Sequence, residues 1–580
     1  MNVLGISAFF HDSACCLLQD GRLKAAAAEE RFSRVKHDRR LPVEAFRYCL
    51  REGRIDRTDI DCIAYYERPV DKLSRQLWAG QVDSFAPLDP RRARNTIVDG
   101  LGFEGPIHSF AHALSHAASA YCYSGFEDSA LLTVDAVGEW TTIGYGSAEG
   151  DDLDLFASTD YPHSLGLLYS TITAYLGFRV NSGEYKVMGL APYGEPRLRP
   201  LLERLVTHDV GPDLRLDPRY FDFGSGARMY SPALVDLLGV DPREPGQTPT
   251  GDHADLACSI QALLEDLLLT RVRWLQETTG GERLCYAGGM ALNCVANGRI
   301  RREGPFREVF VPPAPGDDGA ALGAAALAQM DLGMGRPGRM EHAFWGPQWT
   351  GADIRHQLDA APVPYRTFDE EDELLEEVAR RLAAGEVVGW FHGAMEWGPR
   401  ALGSRSILAD PRNPDVARRL NRQIKDREEF RPFAPSVGVD QAPGWFVLDT
   451  PSPFMLETCP VREPESLPAV THVDGSARPQ TVSAEWSPRF ARLLEVFAGR
   501  TGCPVLLNTS FNTRGEPMVC SPSDALRRFV ASGLDALVLE DCVLDGDDLP
   551  PSWPDLIGHV DIGAGRGDDR PGLSNLYAFV

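Results

Sequence analysis

The chain has 580 residues, more than one hydrophobic core usually accommodates, so its length predicts several domains. Hydrophobic residues make up 43% and charged residues 24% of the sequence, which is typical of folded proteins and excludes disordered or collagen-like chains. The net charge of −25 argues against a general nucleic-acid-binding protein, because an acidic surface repels phosphate backbones.

Cysteine spacing and hydropathy exclude further classes of protein. The twelve cysteines include no C-x-x-C pair, so the sequence predicts neither a zinc ribbon nor a disulfide framework. The chain begins in a strand-like run over 3–10, without the pattern of a secretory signal. No apolar stretch approaches the ~20 residues that a membrane-spanning helix needs. We therefore expect a soluble, cytoplasmic protein without a membrane partner.

The N-terminal half contains one local pattern twice. Short apolar strands separated by a glycine turn occupy 3–28, and a similar pattern, with Gly138 at its turn, occupies 131–146. Two such meanders predict an α/β fold with a duplicated ribonuclease-H-like unit, as in actin and sugar kinases. In those proteins the two turns face each other across a cleft and hold the phosphates of a nucleotide.

A further strand–turn–helix pattern follows in the same half. The strand over 284–287 runs into Gly288 and Gly289, and Asn293 stands where a helix begins. An acidic turn over 317–318 precedes an alanine-rich helix. Such turns bring backbone N–H groups close to a ligand, and a helix N-terminus favours an anion.

Changes in composition along the chain indicate the domain boundaries. Residues 336–368 are rich in glycine, proline and aromatic residues without clear periodicity, and we interpret them as a linker. This gives an N-terminal domain over 1–335 and a second α/β domain over 369–545, which opens with a helix over 370–385. Residues 546–580 are expected to form a tail that wraps or trails.

Three histidines lie within nine residues, at His108, His112 and His116. On a helix His112 and His116 share one face, one turn apart, which lets two imidazoles hold one metal ion. Asp135 and Asp317 can each add a carboxylate oxygen, and such mixed ligation suits Fe(II), Zn or Mn. Histidines that pack in the core or cap a helix would give the same spacing.

A cluster of cations predicts a phosphate site. Between Arg400 and Arg431 nine basic residues accompany five acidic ones, within a strongly acidic chain. Arg400 and Arg405 flank a glycine-containing turn, and Arg431 lies in a proline-rich loop, positions that suit a fixed grip on phosphate. Lys425 is the one lysine among eight arginines there. A solvated helix face would explain part of the same charge run.

Two polar clusters follow apolar strands near the end of the second domain. One contains His472 and Arg478, and the other contains Asn508, Ser510 and Asn512. Their side chains can bind amides or phosphates, and each cluster is equally consistent with ordinary turns.

Two isolated residues complete the candidates. His11 follows the first strand and can act as a general base or an oxyanion donor, or cap a turn. Lys186 lies in a glycine-rich loop, where it can contact a nucleotide or substrate, or simply be held by the packing of that loop.

Eight motifs occur in one order along nearly the whole chain. They are Gly-Ile-Ser…His-Asp-Ser-Ala, His-x-x-x-His with its aspartate, Met-Gly-Leu-Ala-Pro-Tyr-Gly, Gly-Gly-x-Ala-Leu-Asn, Gly-Pro-Arg-Ala-Leu-Gly-x-Arg-Ser, Phe-Arg-Pro-Phe-Ala-Pro, Val-Asp-Gly-x-Ala-Arg-Pro-Gln and Asn-Thr-Ser-Phe-Asn. Together these motifs resemble those of the NodU/CmcH/TobZ-type O-carbamoyltransferases.

The resemblance implies an actin-like N-terminal domain, similar to the metalloprotein of tRNA threonylcarbamoylation, and a C-terminal YrdC-like domain. The YrdC-like domain would make carbamoyl adenylate from carbamoyl phosphate and ATP, with Mg²⁺ accompanying the ATP. The N-terminal domain, with Fe(II) or another divalent metal, would pass the carbamoyl group to an alcohol of a small-molecule natural product of the antibiotic type. No nucleic acid is expected as a partner, and a homo-oligomer is compatible with this scheme.

The resemblance also implies residue roles. His11 would be catalytic, and the metal ligands would be His112, His116, Asp135 and Asp317. The nucleotide-binding residues would be Gly138, Lys186, Gly288, Gly289, Asn293 and Asp318. The residues around carbamoyl phosphate and its adenylate would be Arg400, Arg405, Lys425, Arg431, His472, Arg478, Asn508, Ser510 and Asn512.

Three other functions remain open from the sequence. A tRNA- or protein-directed carbamoyltransferase would share these domains, although the acidic charge and the lack of C-x-x-C pairs count against it. A non-catalytic, actin-like nucleotide-binding protein would leave the cation cluster unexplained. A small-molecule kinase would need neither H-x-x-x-H nor a second phosphate site. The identity of the acceptor is also open.

Overall fold

The computed structural model forms two compact units. It describes residues 1–80, 89–223, 228–360 and 363–550. The first unit contains Met1–Glu29 and His37–Met340. The second contains Glu30–Lys36, with helix α1 (Glu30–Ser33), and the described residues from Glu341 onwards. From residue 551 on, the predicted tail lies outside the described residues.

The first unit combines two five-stranded sheets with helices and a small hairpin. Its strands are β1 (Asn2–Ser7), β2 (Ala14–Gln19), β3 (Arg22–Ala28), β4 (Cys62–Tyr65), β5 (Ile107–Ser109), β6 (Asp128–Val134), β7 (Thr141–Glu149), β8 (Asp152–Asp160), β9 (Val206–His208), β10 (Leu214–Leu216), β11 (Arg283–Ala287) and β12 (Glu308–Phe310). Its helices are α2 (Val43–Gly53), α3 (Pro69–Trp78), α4 (Arg92–Leu101), α5 (His112–Ser124), α6 (Leu165–Tyr175), α7 (Glu184–Leu190), α8 (Arg199–Leu202), α9 (Pro232–Leu238), α10 (Gly251–Thr279), α11 (Cys294–Glu303) and α12 (Asp317–Asp331).

The two five-stranded sheets repeat one strand order. One runs β3-β2-β1-β4-β5, and the other runs β8-β7-β6-β11-β12. In each sheet three strands form an antiparallel meander, and two later strands add in parallel to the first strand of that meander. The mixed α/β class is thus confirmed, and the repeat has the form that the two glycine turns predict.

Helix α12 packs closely against α5 and β1. An added Cβ on Gly323 would lie 1.8 Å from the Ser115 carbonyl oxygen, and one on Gly5 would lie 2.0 Å from the Ala321 carbonyl oxygen. The alanines of α12 are buried, which explains its composition. This approach fixes the position of the α12 N-terminus, where Asp317 stands.

The second unit is built on one eight-stranded sheet. The sheet contains β13 (Arg366–Thr367), β14 (Val388–Phe391), β15 (Arg405–Ala409), β16 (Ala434–Gly438), β19 (Gln480–Val482), β20 (Val505–Ser510), β21 (Ala536–Leu539) and β22 (Cys542–Asp545). Two further strands, β17 (Cys459–Pro460) and β18 (Ser476–Ala477), pair with each other in a separate two-stranded sheet. Its other helices are α13 (Gly351–Asp359), α14 (Glu371–Ala383), α15 (Pro414–Arg419), α16 (Ala442–Trp445), α17 (Pro488–Thr501) and α18 (Pro522–Ser532). The sheet order is β13-β22-β21-β14-β15-β20-β16-β19.

The region 336–368, predicted as a linker, contains α13 and β13, and β13 pairs with β22. A strand of two residues and a helix of nine are too short to leave a clear periodicity, so the sequence alone did not reveal them. Among the helices of the described ranges, including the 29-residue α10, none is long and apolar enough to cross a membrane.

The close approach of α12 yields the first prediction. Gly323→Ala should lower the free energy of unfolding by about 1–3 kcal/mol, because the new methyl group meets backbone atoms of α5 that cannot move aside alone. Gly251→Ala, the same change at the start of α10 with no atom within 4 Å of its Cβ, is the control. Denaturant unfolding curves of both variants measure the difference, and coincident midpoints would contradict the packing.

Candidate functional site

Four side chains of the first unit converge on one point. His112 and His116 lie one turn apart on α5, Asp135 follows β6, and Asp317 begins α12. Their ligand atoms all lie within 4.8 Å of one another. The structure therefore brings together all four residues that the sequence nominates as metal ligands, whereas His108 lies exposed on β5.

The donor atoms of these four residues, the metal cluster, face each other at short range. Asp135 Oδ2 lies 3.2 Å from His112 Nε2 and 3.0 Å from His116 Nε2. Asp317 Oδ1 lies 3.7 Å and 3.4 Å from the same two nitrogens, which are 3.1 Å apart. Two imidazole nitrogens and two carboxylates form a donor set that suits a divalent transition metal.

Electrostatics also favour a cation in the metal cluster. Asp317 is 2% exposed, and its Oδ2 is buried without a hydrogen-bond partner among the described residues. Burial lowers the pKa of His116, but the carboxylates of Asp135 and Asp317 outweigh it and raise that pKa to about 9. The buried negative charge thus holds protons on the imidazoles, and a divalent cation would compete with those protons for the same atoms.

Two predicted nucleotide-binding glycines lie against the metal cluster. An added Cβ on Gly138 would lie 2.9 Å from His112 Cδ2, and one on Gly289 would lie 3.1 Å from Asp135 Oδ1. Gly288 has φ of +95° and passes so close to Val134 that an added Cβ would lie 2.3 Å from its carbonyl oxygen. These turns need glycine for close approach, whatever else they bind.

The other predicted nucleotide-binding residues lie in separate contacts. Asn293 caps α11, and its side-chain amide exchanges two hydrogen bonds, of 3.0 and 3.1 Å, with Gln261. The Lys186 ammonium lies 5.5 Å from the centre of the Phe178 ring, a cation–π contact. Asp318 accepts a hydrogen bond from the next backbone N–H in the first turn of α12. The Asn293 side-chain amide is thus already hydrogen-bonded within the fold.

His11 lies beside the metal cluster, next to Asp12 and His37, which the sequence did not single out. Its Nε2 lies 3.8 Å from Asp317 Oδ2, and its Nδ1 lies 3.0 Å from Asp12 Oδ2. The other oxygen of Asp12 lies 2.7 Å from His37 Nδ1. Burial lowers the pKa of His11, but Asp317 and Asp12 raise it to about 10. Asp12 thus orients the imidazole of His11.

Glu139 is a third residue that sequence reasoning missed. Its carboxylate accepts the backbone N–H of His112 at 2.9 and 3.0 Å, and that of Arg68 at 2.7 Å. A carboxylate at the start of α5 complements the helix dipole and fixes the turn that carries His112. The only signal in the sequence is an acidic residue directly after Gly138.

In the second unit, strand direction gathers the predicted phosphate-binding residues. Strands β15 and β16 both pair antiparallel with β20, and β19 pairs parallel with β16. The starts of β15, β16 and β19 and the end of β20 therefore lie at one edge of the sheet. Four predicted segments occupy this edge, namely Arg400–Arg405, Arg431, Arg478 and Ser510–Asn512.

Lys425 is buried beside the same strand end. It is 3% exposed, and its ammonium donates to the Ser510 carbonyl oxygen and, at 3.0 Å each, to the carbonyl and side-chain oxygens of Asn512. Burial and the positive charges of neighbouring arginines lower its pKa well below the usual value. The structure thus brings Lys425, Ser510 and Asn512 together.

The side chains of Arg405 and Asn508 are buried and form hydrogen bonds within the unit. Arg405 is 0% exposed and lies 3.6 Å from the centre of the Phe391 ring. Its guanidinium donates to the carbonyl oxygens of Pro347, His392, Gly393 and Ser404. Asn508 is 1% exposed and donates to Ser436 Oγ at 3.0 Å and Gln480 Oε1 at 3.1 Å. Both side chains therefore support the sheet and the turn before β15.

Arg478 differs from Arg405 and Asn508 in its contacts. It is half-buried before β19, and its side chain has no hydrogen-bond or ion-pair partner among the described residues. Arg431 lies 3.7 Å from Glu428, and His472 stands in the turn that leads to β18, where its N–H donates to Ser476. Of these residues, Arg478 is the best placed to give its full charge to a bound anion.

Glu396 organises the turn that carries Arg400. It is buried, and its Oε1 accepts the backbone N–H groups of Leu402 and Ser404 at 2.8 Å and of Arg405 at 3.1 Å. The sequence shows Glu396 only as one member of the Gly-Pro-Arg motif region, and its role depends on a folded turn that spacing does not reveal.

Comparisons with known proteins give a consistent family. The model described as Carbamoyltransferase N-terminus matches residues 2–326, and the one described as Carbamoyltransferase C-terminus matches residues 379–545. An uncharacterized protein of Synechocystis is 42% identical, over 94% of this chain and 96% of its own length. Nodulation protein NolNO of Sinorhizobium fredii is 39% identical, over 92% and 78%. Nodulation protein U of Bradyrhizobium diazoefficiens is 30% identical, over 89% and 92%.

Similarity to solved structures is weaker. HypF of T. kodakarensis is 14% identical, with a TM-score of 0.32, over 57% of this chain and 48% of that one. A ROK hexokinase of Thermus thermophilus is 17% identical, with a TM-score of 0.28, over 57% of this chain and 100% of that one.

The metal cluster yields the second prediction. His116→Ala should weaken the binding of Fe(II) or Mn²⁺ by more than about 100-fold. Replacing a residue that only supports a ligand lowers metal affinity by ~10–100-fold, and removing a ligand itself costs more. His108→Ala removes a histidine of the same sequence pattern that lies outside the cluster, and should bind metal as the wild type does. Metal content after anaerobic loading and dialysis measures both, and equal loss in the two variants would contradict the assignment.

Proposed function

We propose, from the premise that this chain belongs to the carbamoyltransferase family, that it is an ATP-dependent O-carbamoyltransferase with one site in each unit. The resemblance carried by the eight motifs is confirmed at the level of the family, and the protein is a carbamoyltransferase. In the proposed reaction the second unit activates carbamoyl phosphate, and the first unit transfers the carbamoyl group to a hydroxyl of a small molecule.

The first half-reaction is assigned to the edge of the second sheet. There water would cleave carbamoyl phosphate to carbamate and phosphate, and the carbamate oxygen would displace pyrophosphate from ATP to give carbamoyl adenylate, Mg²⁺ accompanying the ATP. Carbamoyl phosphate is a small, highly charged anion, so its site needs several fixed cations. Arg400, Arg431 and Arg478 can supply them, since strand direction brings their segments to this edge, and Lys425 would hold Ser510 and Asn512 in place beside them. From the resemblance of its motifs to those of the family, we also propose a YrdC-like fold for 369–545.

The second half-reaction is assigned to the metal cluster, and the convergence of its four donor residues carries the proposal. His112, His116, Asp135 and Asp317 would hold Fe(II). When bound, a metal of this kind supplies Lewis-acid polarisation of the carbamoyl oxygen, worth several kcal/mol at the transition state. His11, oriented by Asp12, would exchange a proton with the reacting groups.

The acceptor is proposed to be a hydroxylated natural product. The similar proteins named for nodulation support a small-molecule acceptor, and the net charge of −25 disfavours a nucleic acid. A mixed anhydride with AMP is a stronger carbamoyl donor than carbamoyl phosphate, which suits a weak nucleophile such as an alcohol.

The third prediction tests the adenylating half-reaction without an acceptor. With carbamoyl phosphate and ATP together, but with neither alone, the full chain should release pyrophosphate. Arg478→Ala should lower kcat/KM for carbamoyl phosphate by about 10- to 100-fold, the value of one hydrogen bond to a charged group. Its unfolding transition should stay unchanged, because the side chain forms no hydrogen bond or ion pair with any residue that the structure describes.

Two arginines serve as controls. Arg405→Ala should lower the free energy of unfolding by about 3 kcal/mol or more, because it removes a fully buried side chain together with its hydrogen bonds to four carbonyl oxygens. Arg418→Ala removes an exposed arginine of the same charge run, paired only with Asp415, and should change neither activity nor stability. Bound ATP without pyrophosphate release would reject the adenylation step, and normal activity of Arg478→Ala would reject the role of that residue.

A further inference from the structure

A short N-terminal segment belongs to the second unit. β3 ends at Ala28, and the chain then contributes Glu30–Lys36 to a unit whose remaining described residues begin at Glu341. In this segment, Phe32 packs against a small apolar cluster consisting of Met395, Ala401, Met518 and Cys520. The cluster joins two loops of the proposed carbamoyl phosphate site, because Ala401 follows Arg400 and Met518 lies in the loop that contains Asn512.

Arg31 contacts the first of these loops. Its side chain is buried, with 6% exposure, and its Nη2 donates to the Gly398 carbonyl oxygen at 2.8 Å. Gly398 has φ of +102° and stands two residues before Arg400. The guanidinium also pairs with Glu30 at 3.0 Å, so its charge is compensated within the segment. Arg31 thus fixes the turn from which the Arg400 side chain projects.

Arg34 contacts the second loop with both ends of its guanidinium fork. Nη1 donates to the Met518 carbonyl oxygen at 2.6 Å, and Nη2 donates to the Pro517 carbonyl oxygen at 2.9 Å. The planar guanidinium reaches two successive carbonyls at once, which a lysine ammonium cannot do in the same geometry.

The contacts of Arg34 lead directly to Lys425. The loop between Phe511 and Val519 is closed by the Val519 N–H, which donates to Phe511 at 2.9 Å. Within it the Asn512 side chain donates to the Glu516 carbonyl oxygen at 2.7 Å and accepts from Lys425 at 3.0 Å. A shift of the Pro517–Met518 end would therefore move Asn512, and with it the partner of Lys425.

We propose that Arg31 and Arg34 are positioning residues for the carbamoyl phosphate site of the second unit. The segment Glu30–Lys36 holds the two loops that carry Arg400 and Asn512 and so sets the spacing of the cations that grip the substrate. This inference rests on the proposed function of the second unit. It means that part of the sequence matched by the N-terminal family model completes the site of the C-terminal one.

The kinetic test uses the full chain and the acceptor-free pyrophosphate assay. Arg34→Ala should lower kcat/KM for carbamoyl phosphate by about 10- to 100-fold, mainly through KM, because misplacement of about 1 Å has effects of this size. Arg34→Lys, which keeps the charge but reaches one carbonyl, should fall between Arg34→Ala and the wild type. Arg47→Ala, an exposed arginine of α2, is the matched control. Metal bound by the first unit should be equal in all four proteins.

A second measurement is independent of turnover. In Arg34→Ala the backbone amides of residues 511–519 should exchange hydrogen at least about tenfold faster than in the wild type, because the loop has lost its anchor. The strand amides of β14 and β21 should exchange as before. Arg47→Ala should leave both regions unchanged. This pattern separates a local positioning effect from general destabilisation of the unit.

The outcomes are distinct. If Arg34→Ala keeps kcat/KM within about twofold of the wild type, the positioning role is wrong. If the wild type releases no pyrophosphate, the proposed adenylation is wrong. If residues 511–519 of Arg34→Ala also exchange hydrogen as in the wild type, the anchoring of the loop by Arg34 is wrong as well. If Arg34→Ala does not fold, the same comparisons are made with Arg34→Lys, where slower turnover with an intact unfolding transition supports positioning and wild-type behaviour overturns it.

Discussion

The metal cluster depends on how closely α12 approaches α5. Because Gly323 has no side chain, the backbones of the two helices touch at Ser115, one residue before His116. The same contact determines how far the N-terminus of α12, and therefore Asp317, lies from the imidazoles. Helix packing and the donor geometry are thus one constraint, and the small side chains along α12 maintain it.

Burial of the two carboxylates then dictates the chemistry of the cluster. A buried carboxylate needs a compensating charge, and the imidazoles of His112 and His116 provide it only while they hold protons. The raised pKa of His116 expresses this need, and a divalent cation satisfies it with the same atoms. Glu139 and Asp12 fix His112 and His11 in turn, so the surroundings of the cluster are as ordered as the cluster itself.

The sequence predicts features that depend on local spacing. It places the three strands of the first meander and the first two of the second, and it nominates all four residues of the metal cluster, because a helical repeat of four and a polar residue after a strand are visible in one dimension. It does not distinguish Arg405, whose hydrogen bonds to four carbonyls depend on folded turns, from Arg478, which has no such partner in the part of the chain that the structure describes. Nor does it reveal His37 or Arg34, whose partners come from distant parts of the sequence.

The contrast between Arg405 and Arg478 separates a scaffold role from the proposed binding role in the second unit. Both follow glycine-containing motifs and both lie at the same sheet edge, yet both terminal nitrogens of the Arg405 guanidinium donate to carbonyl oxygens, whereas Arg478 has no hydrogen-bond or ion-pair partner among the described residues. A cation whose hydrogen bonds are all internal stabilises the scaffold, since its removal leaves buried acceptors without donors. Arg478, half-buried and without a hydrogen-bond or ion-pair partner among the described residues, is therefore the residue of this edge on which the proposed anion site is best tested.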